Sequence, residues 1–417
     1  MRRPEGVRAP ARAAPAVPAV IAALLAVAAP VAAAWDEGAA PALTGSAPTA
    51  PATAGPATVL GWPDGGAPRA PQNFRVTVYA RGLAGPRSLL VLPNGDVLVT
   101  EVRPAEARIT LLRDGRGDGV ADQQFVLLAG LKQPFGLALR RDRLYVATAD
   151  AVLSCPYLVG QTRMHGECRK LLELPAGGSG EHAANGIAFS PDEARLYVGV
   201  GAVASAGAGA GTGTGAGHGA ILVARPDGRE LRVFASGPAN PAGLAFEPHS
   251  SVLFATLNGS ERSREGGAPD CLASVRDGGS FGGSTGTTDS SCEASATALG
   301  LAFYGREHFP KQYRDGAFVT QHGARRGAEL AGYKVVFVPF AAGKPAGAGA
   351  DFLTGFVHDA ARGEVYGRPA GVAVATDGTL LVADDAGSTI WRVTFKCAAC
   401  TPDPPRAAPR LPHLPTH

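Results

Sequence analysis

Six short polar segments, each placed just before an apolar run, carry the residues best suited to chemistry. They are Ala84-Gly-Pro-Arg87, Lys132-Gln-Pro-Phe135, Gly180-Glu-His-Ala-Ala-Asn185, Gly237-Pro-Ala-Asn-Pro241, Ser295-Ala-Thr-Ala298 and Val365-Tyr-Gly-Arg-Pro369. Together they offer Arg87, Gln133, His182, Asn185, Asn240 and Arg368. A guanidinium matches a carboxylate through two parallel hydrogen bonds, so two Arg with amide donors suit a planar, multiply anionic ligand. His182 beside Glu181 has the titration range of a general base near neutral pH. Taken singly, each residue has a plainer role: Asn240 before Pro241 and Gln133 before Pro134 fit turn caps, and a lone loop His is usually incidental. Only convergence of the six segments gives them a shared function.

Other motifs carry less. Asp114-Gly-Arg-Gly-Asp118-Gly119 begins like a calcium loop, but Arg116 stands at the third position and Phe125 where the closing Glu belongs, so a hairpin turn is expected. Cys397-Ala-Ala-Cys400 lacks the following His of a haem site, having Thr401 there, and lacks the second ligand pair of a zinc site. The Gly-x-Gly spacings between Ala206 and Gly219 are followed by no Gly-Lys-Ser/Thr, which leaves a flexible loop.

The elements that must position the six segments repeat. Six times a short apolar run, a turn and a second apolar run follow one another, as in Gly136-Leu-Ala-Leu with Leu144-Tyr-Val-Ala and Gly186-Ile-Ala-Phe with Leu196-Tyr-Val-Gly. The repeat starts lie about 48 to 71 residues apart, the size of a four-stranded propeller blade. Pro93-Asn-Gly-Asp96 and Thr376-Asp-Gly378 supply hairpin turns. The last unit ends at its third strand, Thr389 to Thr394, while Phe74 to Tyr79 precedes the first unit unpaired. Joining those two predicts an all-β, six-bladed β-propeller of four-stranded antiparallel blades, closed by the N-terminal strand. A small molecule is then expected at the mouth of the central channel, where the six segments meet.

The 417 residues include 56 Gly and 34 Pro, too many helix breakers for a long-helix protein. A net charge of +3 with 18% charged residues gives no basic footprint for nucleic acid. Arg2, Arg3, Arg8 and Arg12, the apolar stretch 17–31 and Ala32-Ala33-Ala34 read as a signal peptide over 1–34. Residues 35–72 read as a disordered Ala/Pro-rich linker, 73–396 as the propeller and 397–417 as a Pro-rich tail. No stable membrane span is expected after cleavage, and the mature chain is expected to be periplasmic or secreted. In that setting six Cys favour disulfides, with the local closures Cys155 to Cys168, Cys271 to Cys292 and Cys397 to Cys400.

Several longer runs resemble one family. They are Leu131-Lys-Gln-Pro-Phe-Gly-Leu-Ala138, Gly332-Tyr-Lys-Val-Val-Phe-Val-Pro-Phe340, Asp351-Phe-Leu-Thr-Gly-Phe356, Gly367-Arg-Pro-Ala-Gly-Val372 and Leu381-Val-Ala-Asp-Asp385. The chain resembles the glucose/sorbosone dehydrogenases, soluble six-bladed propellers that use pyrroloquinoline quinone with calcium, and in particular their sorbosone dehydrogenase-like branch. The resemblance implies an exported oxidoreductase that oxidises a sugar or sugar aldehyde and passes electrons to a separate acceptor. By position, His182 matches the catalytic base and Gln133 a substrate-side polar residue. Asn240 matches a cofactor contact, Arg368 a carboxylate-binding arginine and Arg325 a basic residue near the quinone, while Gly259, Ser260 and Glu261 fall where the calcium loop would be. The chain departs from the family pattern at Ala239, where an Arg precedes Asn-Pro, and at Ala183-Ala184 and Ala324-Arg325. These departures keep a second reading beside the dehydrogenase, a non-catalytic propeller of the same descent that binds a carbohydrate or protein.

Overall fold

The computed structural model describes residues 56–175, 185–201, 219–237, 239–259, 271–281, 290–291, 297–326 and 329–396. The expected signal peptide, the C-terminal tail and most of the Gly-rich insertion lie outside these residues. Among the described residues the fold is all-β, with two single-turn 3₁₀ segments, Pro104–Glu106 and Lys311–Tyr313. No helix among them is long and apolar enough to cross a membrane.

Among the described residues six sheets of four or five strands follow one another along the chain, beside a three-stranded and a two-stranded sheet. The first runs Pro86–Val91, Val97–Glu101, Arg108–Arg113 and Gln123–Ala129, each strand antiparallel to the one before. The second repeats this with Leu137–Arg140, Arg143–Ala147, Ala151–Pro156 and Arg169–Glu173. The next three begin at Ile187–Phe189, Ala239–Phe246 and Ala298–Tyr304. The sixth runs Pro369–Val374, Leu380–Asp384 and Thr389–Phe395, and its fourth strand is Phe74–Arg81 from the other end of the chain. That pairing joins Phe74 to Phe395, Val76 to Val393 and Val78 to Trp391, with a bulge before Ala80. The partnership expected from the strand count is therefore present.

The first strand of each sheet touches the first strand of the next, from Pro86–Val91 on Leu137–Arg140 round to Pro369–Val374 on Pro86–Val91. This close approach explains the Gly that opens the repeats. A Cβ on Gly186 would lie 1.8 Å from the Ala242 carbonyl oxygen, and one on Gly371 would lie 2.0 Å from that of Arg87.

The apolar runs do not alternate with polar residues because both faces of the inner strands are covered. Side chains alternate between two cores instead. Leu380 and Val382 join an aromatic cluster with Phe318, Phe352 and Trp391, whereas Leu381 and Ala383 turn to Leu89, Val97 and Val99 on the first sheet. Each interface between successive sheets has its own apolar cluster of this kind.

Residues 56–72, which composition assigns to the linker, are laid onto this body. Thr58–Val59 pairs in parallel with Glu364–Val365, and Arg69 bridges Thr354. Trp62 packs among Phe356, Tyr366 and Trp391 at centroid distances of 5.5, 5.3 and 5.1 Å. A residue count treats this stretch as Ala and Pro; the indole with its three ring neighbours, the strand pairing and the Arg69 bridge together offset the cost of ordering it.

Cys155 and Cys168 form a disulfide across a sequence separation of 13. Cys292, Cys397 and Cys400 lie outside the described residues. A loop of this size constrains the unfolded chain by about 3 kcal/mol. Replacing both residues by Ser is expected to lower the urea unfolding free energy by that amount, and an unchanged midpoint and slope would refute it.

Candidate functional site

At one end of the inner strands lies a cavity of about 320 Å³, within the range of small-molecule sites. Arg87, Gln133, Arg368, Arg103 and Asp385 supply its polar lining, and Val59, Val102, Pro134 and Phe135 its apolar walls. The structure thus brings Gln133 and Arg368 together, with Arg87 between them. Gln133 sits at φ 43°, a left-handed position at the tip of the turn before Leu137–Arg140. Arg87 follows a loop held from below: the Ala84 N–H donates to the buried Glu101 carboxylate, and Arg108 Nε donates to Glu101 Oε1 at 2.7 Å. Burial would raise the Glu101 pKa, but the Arg108, Thr110 and Ala84 hydrogen bonds outweigh it and hold the carboxyl below its usual value.

The floor of the cavity is a buried charge network that the sequence reading did not single out. Asp385 Oδ2 lies 2.8 Å from Arg87 Nε and 2.8 Å from His322 Nε2. Burial pushes the His322 imidazole down to about 4, against the pull of Asp385. A neutral His322 facing a carboxylate donates through Nε2–H, which fixes its tautomer. Burial also works against charge on Asp385, but His322, Arg87 and Arg368 overcome it and hold the carboxyl well below the usual range. Arg368 Nη2 donates to the Gly323 carbonyl at 3.0 Å, and its guanidinium stands 6.0 Å from the Tyr333 ring. Arg87 Nε, Arg368 Nε, Asp385 Oδ1 and, one position before His322, Gln321 Oε1 are buried without a hydrogen-bond partner among the described residues.

His322 gives a pH prediction. The unfolded chain takes up a proton near pH 6.5, whereas the folded chain resists until about pH 4. Its contribution to stability is complete above 6.5 and disappears as pH falls towards 4, a loss of about 3 kcal/mol. Urea titrations of wild type and His322→Gln at pH 7 and pH 4.5 should show the variant losing less stability on acidification; equal losses would contradict the assignment.

The other expected site residues are placed as follows. Asn240 is half-buried within Ala239–Phe246, opposite Asn258, and does not line this cavity. Asn185 is structural: its Nδ2 donates to the Thr148 carbonyl at 2.8 Å. Arg325 lies in Ala324–Arg326, paired opposite Leu330. Gly259 ends Leu253–Gly259 opposite Ala239. His182, Ser260 and Glu261 lie outside the described residues. Ala239 packs in an apolar cluster with Ile221, Leu257 and Phe281, so a cation placed there would enter that core. Arg87 and Arg103 provide positive charge at the mouth instead. Among the described residues no group of three or more His, Cys, Asp or Glu is positioned to hold a metal.

No protein-family model matches the chain. An uncharacterized protein of Borreliella burgdorferi is 23% identical over 361 residues, spanning 74% of this chain and 92% of that one. Among solved structures, the chain is similar to a Trichoderma reesei carbohydrate-active enzyme of family AA12, with TM-score 0.65 and 17% identity over 79% of this chain and 98% of that one. It is also similar to the holo form of the pyranose dehydrogenase PQQ domain from Coprinopsis cinerea, with TM-score 0.62 and 16% identity over 79% and 97%. The PQQ-bound aldose sugar dehydrogenase of Streptomyces coelicolor gives TM-score 0.56 and 21% identity over 78% and 99%. At these identities the likeness establishes a shared fold.

Proposed function

We propose that the chain is a six-bladed propeller closed by Phe74–Arg81, and that its mouth cavity is the active site of a quinoprotein dehydrogenase oxidising a sugar or sugar aldehyde. The observation that carries the reading is the pairing of Arg87 and Arg368 in one cavity with apolar walls. Pyrroloquinoline quinone is planar and carries several carboxylates, which matches apolar surfaces flanked by guanidinium groups. The solved structures that share the fold include PQQ-containing sugar dehydrogenases, which supports the same choice.

When bound, the quinone accepts hydride from the substrate carbon. The chain's own residues do the rest. Arg368 and Arg87 hold carboxylates, and Asp385 with neutral His322 keeps Arg87 in place without cancelling the positive balance of the mouth. Gln133, exposed at the rim, hydrogen-bonds the substrate. His182, in the segment just before Ile187–Phe189, takes the proton of the substrate hydroxyl. Asn240 and Arg325 are assigned to the cofactor, and Gly259, Ser260 and Glu261 to calcium, on the family resemblance. Electrons leave to a separate carrier, and export of the chain follows from the N-terminal signal.

Dye-linked oxidation of a panel of aldoses and sugar aldehydes by protein supplied with the quinone and calcium tests the reading. Dye reduction with at least one sugar is expected, and none with any sugar would favour a binding propeller. In the same preparation Arg368→Ala should weaken quinone binding by about 1.5–3 kcal/mol, roughly one to two decades in Kd. An unchanged Kd would remove Arg368 from the site.

A further inference from the structure

The N-terminal strap is built into the mouth cavity. Its Val59 lines the cavity and is 44% exposed. The strap is registered to the segment that leads into Arg368: Thr58 N–H donates to the Gly363 carbonyl at 2.9 Å and Leu60 N–H to the Val365 carbonyl at 2.8 Å. Beyond it, Trp62 Nε1 donates to Asp384 Oδ2 at 2.6 Å. The other oxygen of that fully buried carboxylate accepts the backbone N–H of Arg368 at 2.8 Å and of Gly387 at 2.7 Å. Asp385 and Ala386, which line the cavity, lie between these two anchors. One carboxylate therefore ties the strap to both sides of the cavity. Trp391 Nε1 also reaches Asp384 Oδ2, at 3.2 Å, so Trp62 makes the shorter of the two indole contacts.

We propose that Trp62 is a positioning residue of the mouth site, holding the Arg368 backbone and the 385–387 turn in place through Asp384, with Val59 as one apolar wall for the ligand. Its functional meaning rests on the reading of this cavity as the quinone site. Trp62 touches no reacting group; its effect passes through a shared carboxylate to an arginine that does bind. Removing the indole N–H leaves Asp384 with one distant side-chain donor and loosens both anchored amides.

The test is Trp62→Phe, which keeps an aromatic ring and removes the donor. Hydrogen exchange of the ligand-free protein should show the Arg368 and Gly387 amides exchanging about tenfold faster, with the amides of Leu380–Asp384 unchanged, and quinone titration should show Kd raised about tenfold. Exchange at Arg368 and Gly387 equal to wild type would overturn the proposal. So would faster exchange spread evenly over the chain, which would mark Trp62 as packing alone. Trp62→Leu, read the same way, checks that the local effect follows the lost donor and not the ring. A local exchange effect in Trp62→Phe together with no quinone uptake by wild type would sink the quinone reading and leave the positioning role standing.

Discussion

Deleting residues 73 to 80 is expected to leave a chain with no cooperative unfolding transition. This segment supplies most of Phe74–Arg81, the fourth strand of the sixth sheet. Phe74 alone meets Phe309, Tyr313, Phe352 and Phe395 at 4.8 to 5.4 Å, and Tyr79 and Ala80 are buried in the core shared with the first sheet. Removing one large buried aromatic costs about 3–5 kcal/mol. Loss of several core side chains together with a full ladder exceeds the roughly 5–15 kcal/mol that holds a domain folded. Thermal and urea denaturation followed by circular dichroism would check this. A deletion variant with a cooperative transition at the wild-type midpoint would show that the strand is not what latches the ring.

His182→Ala is expected to lower turnover by about two to four decades while leaving the quinone Kd close to that of wild type. A general base acts only as the proton leaves the substrate hydroxyl, so its loss falls on kcat and not on cofactor binding. Arg368→Ala has the opposite signature, with weaker binding as its first effect. Single-turnover oxidation and quinone titration of the two variants separate the roles. His182→Ala with unchanged turnover, or with a loss confined to quinone binding, would move the base elsewhere.

How far these residues were legible depends on their place in a blade. Gln133 and Arg368 could be read from sequence because each precedes the first strand of a sheet, opened by Pro or Gly, and so lies at the same end of those strands. Arg87 follows the same rule. His322 and Asp385 follow second strands instead, Gly316–Gln321 and Leu380–Asp384, and their approach to 2.8 Å comes from the packing of two neighbouring sheets, which no local spacing encodes. The signals present were faint: two acids closing the buried run 380–383, and a His directly after a strand. Trp62 was hidden for another reason, since composition averages over a window and gives no weight to the contacts of a single indole. Asn240 lies within Ala239–Phe246 and does not line the Arg-lined cavity.

The central claim is that the Arg87, Arg368 and Asp385 cavity holds a planar polycarboxylate cofactor. Titration of purified protein with pyrroloquinoline quinone in the presence of calcium, followed by absorbance, tests it most directly. Saturable binding of about one quinone per chain is expected, lost in the Arg87→Ala, Arg368→Ala double variant while its fold is retained by circular dichroism. No saturable binding by the folded wild-type protein into the high micromolar range, or equal binding by the double variant, would contradict the account.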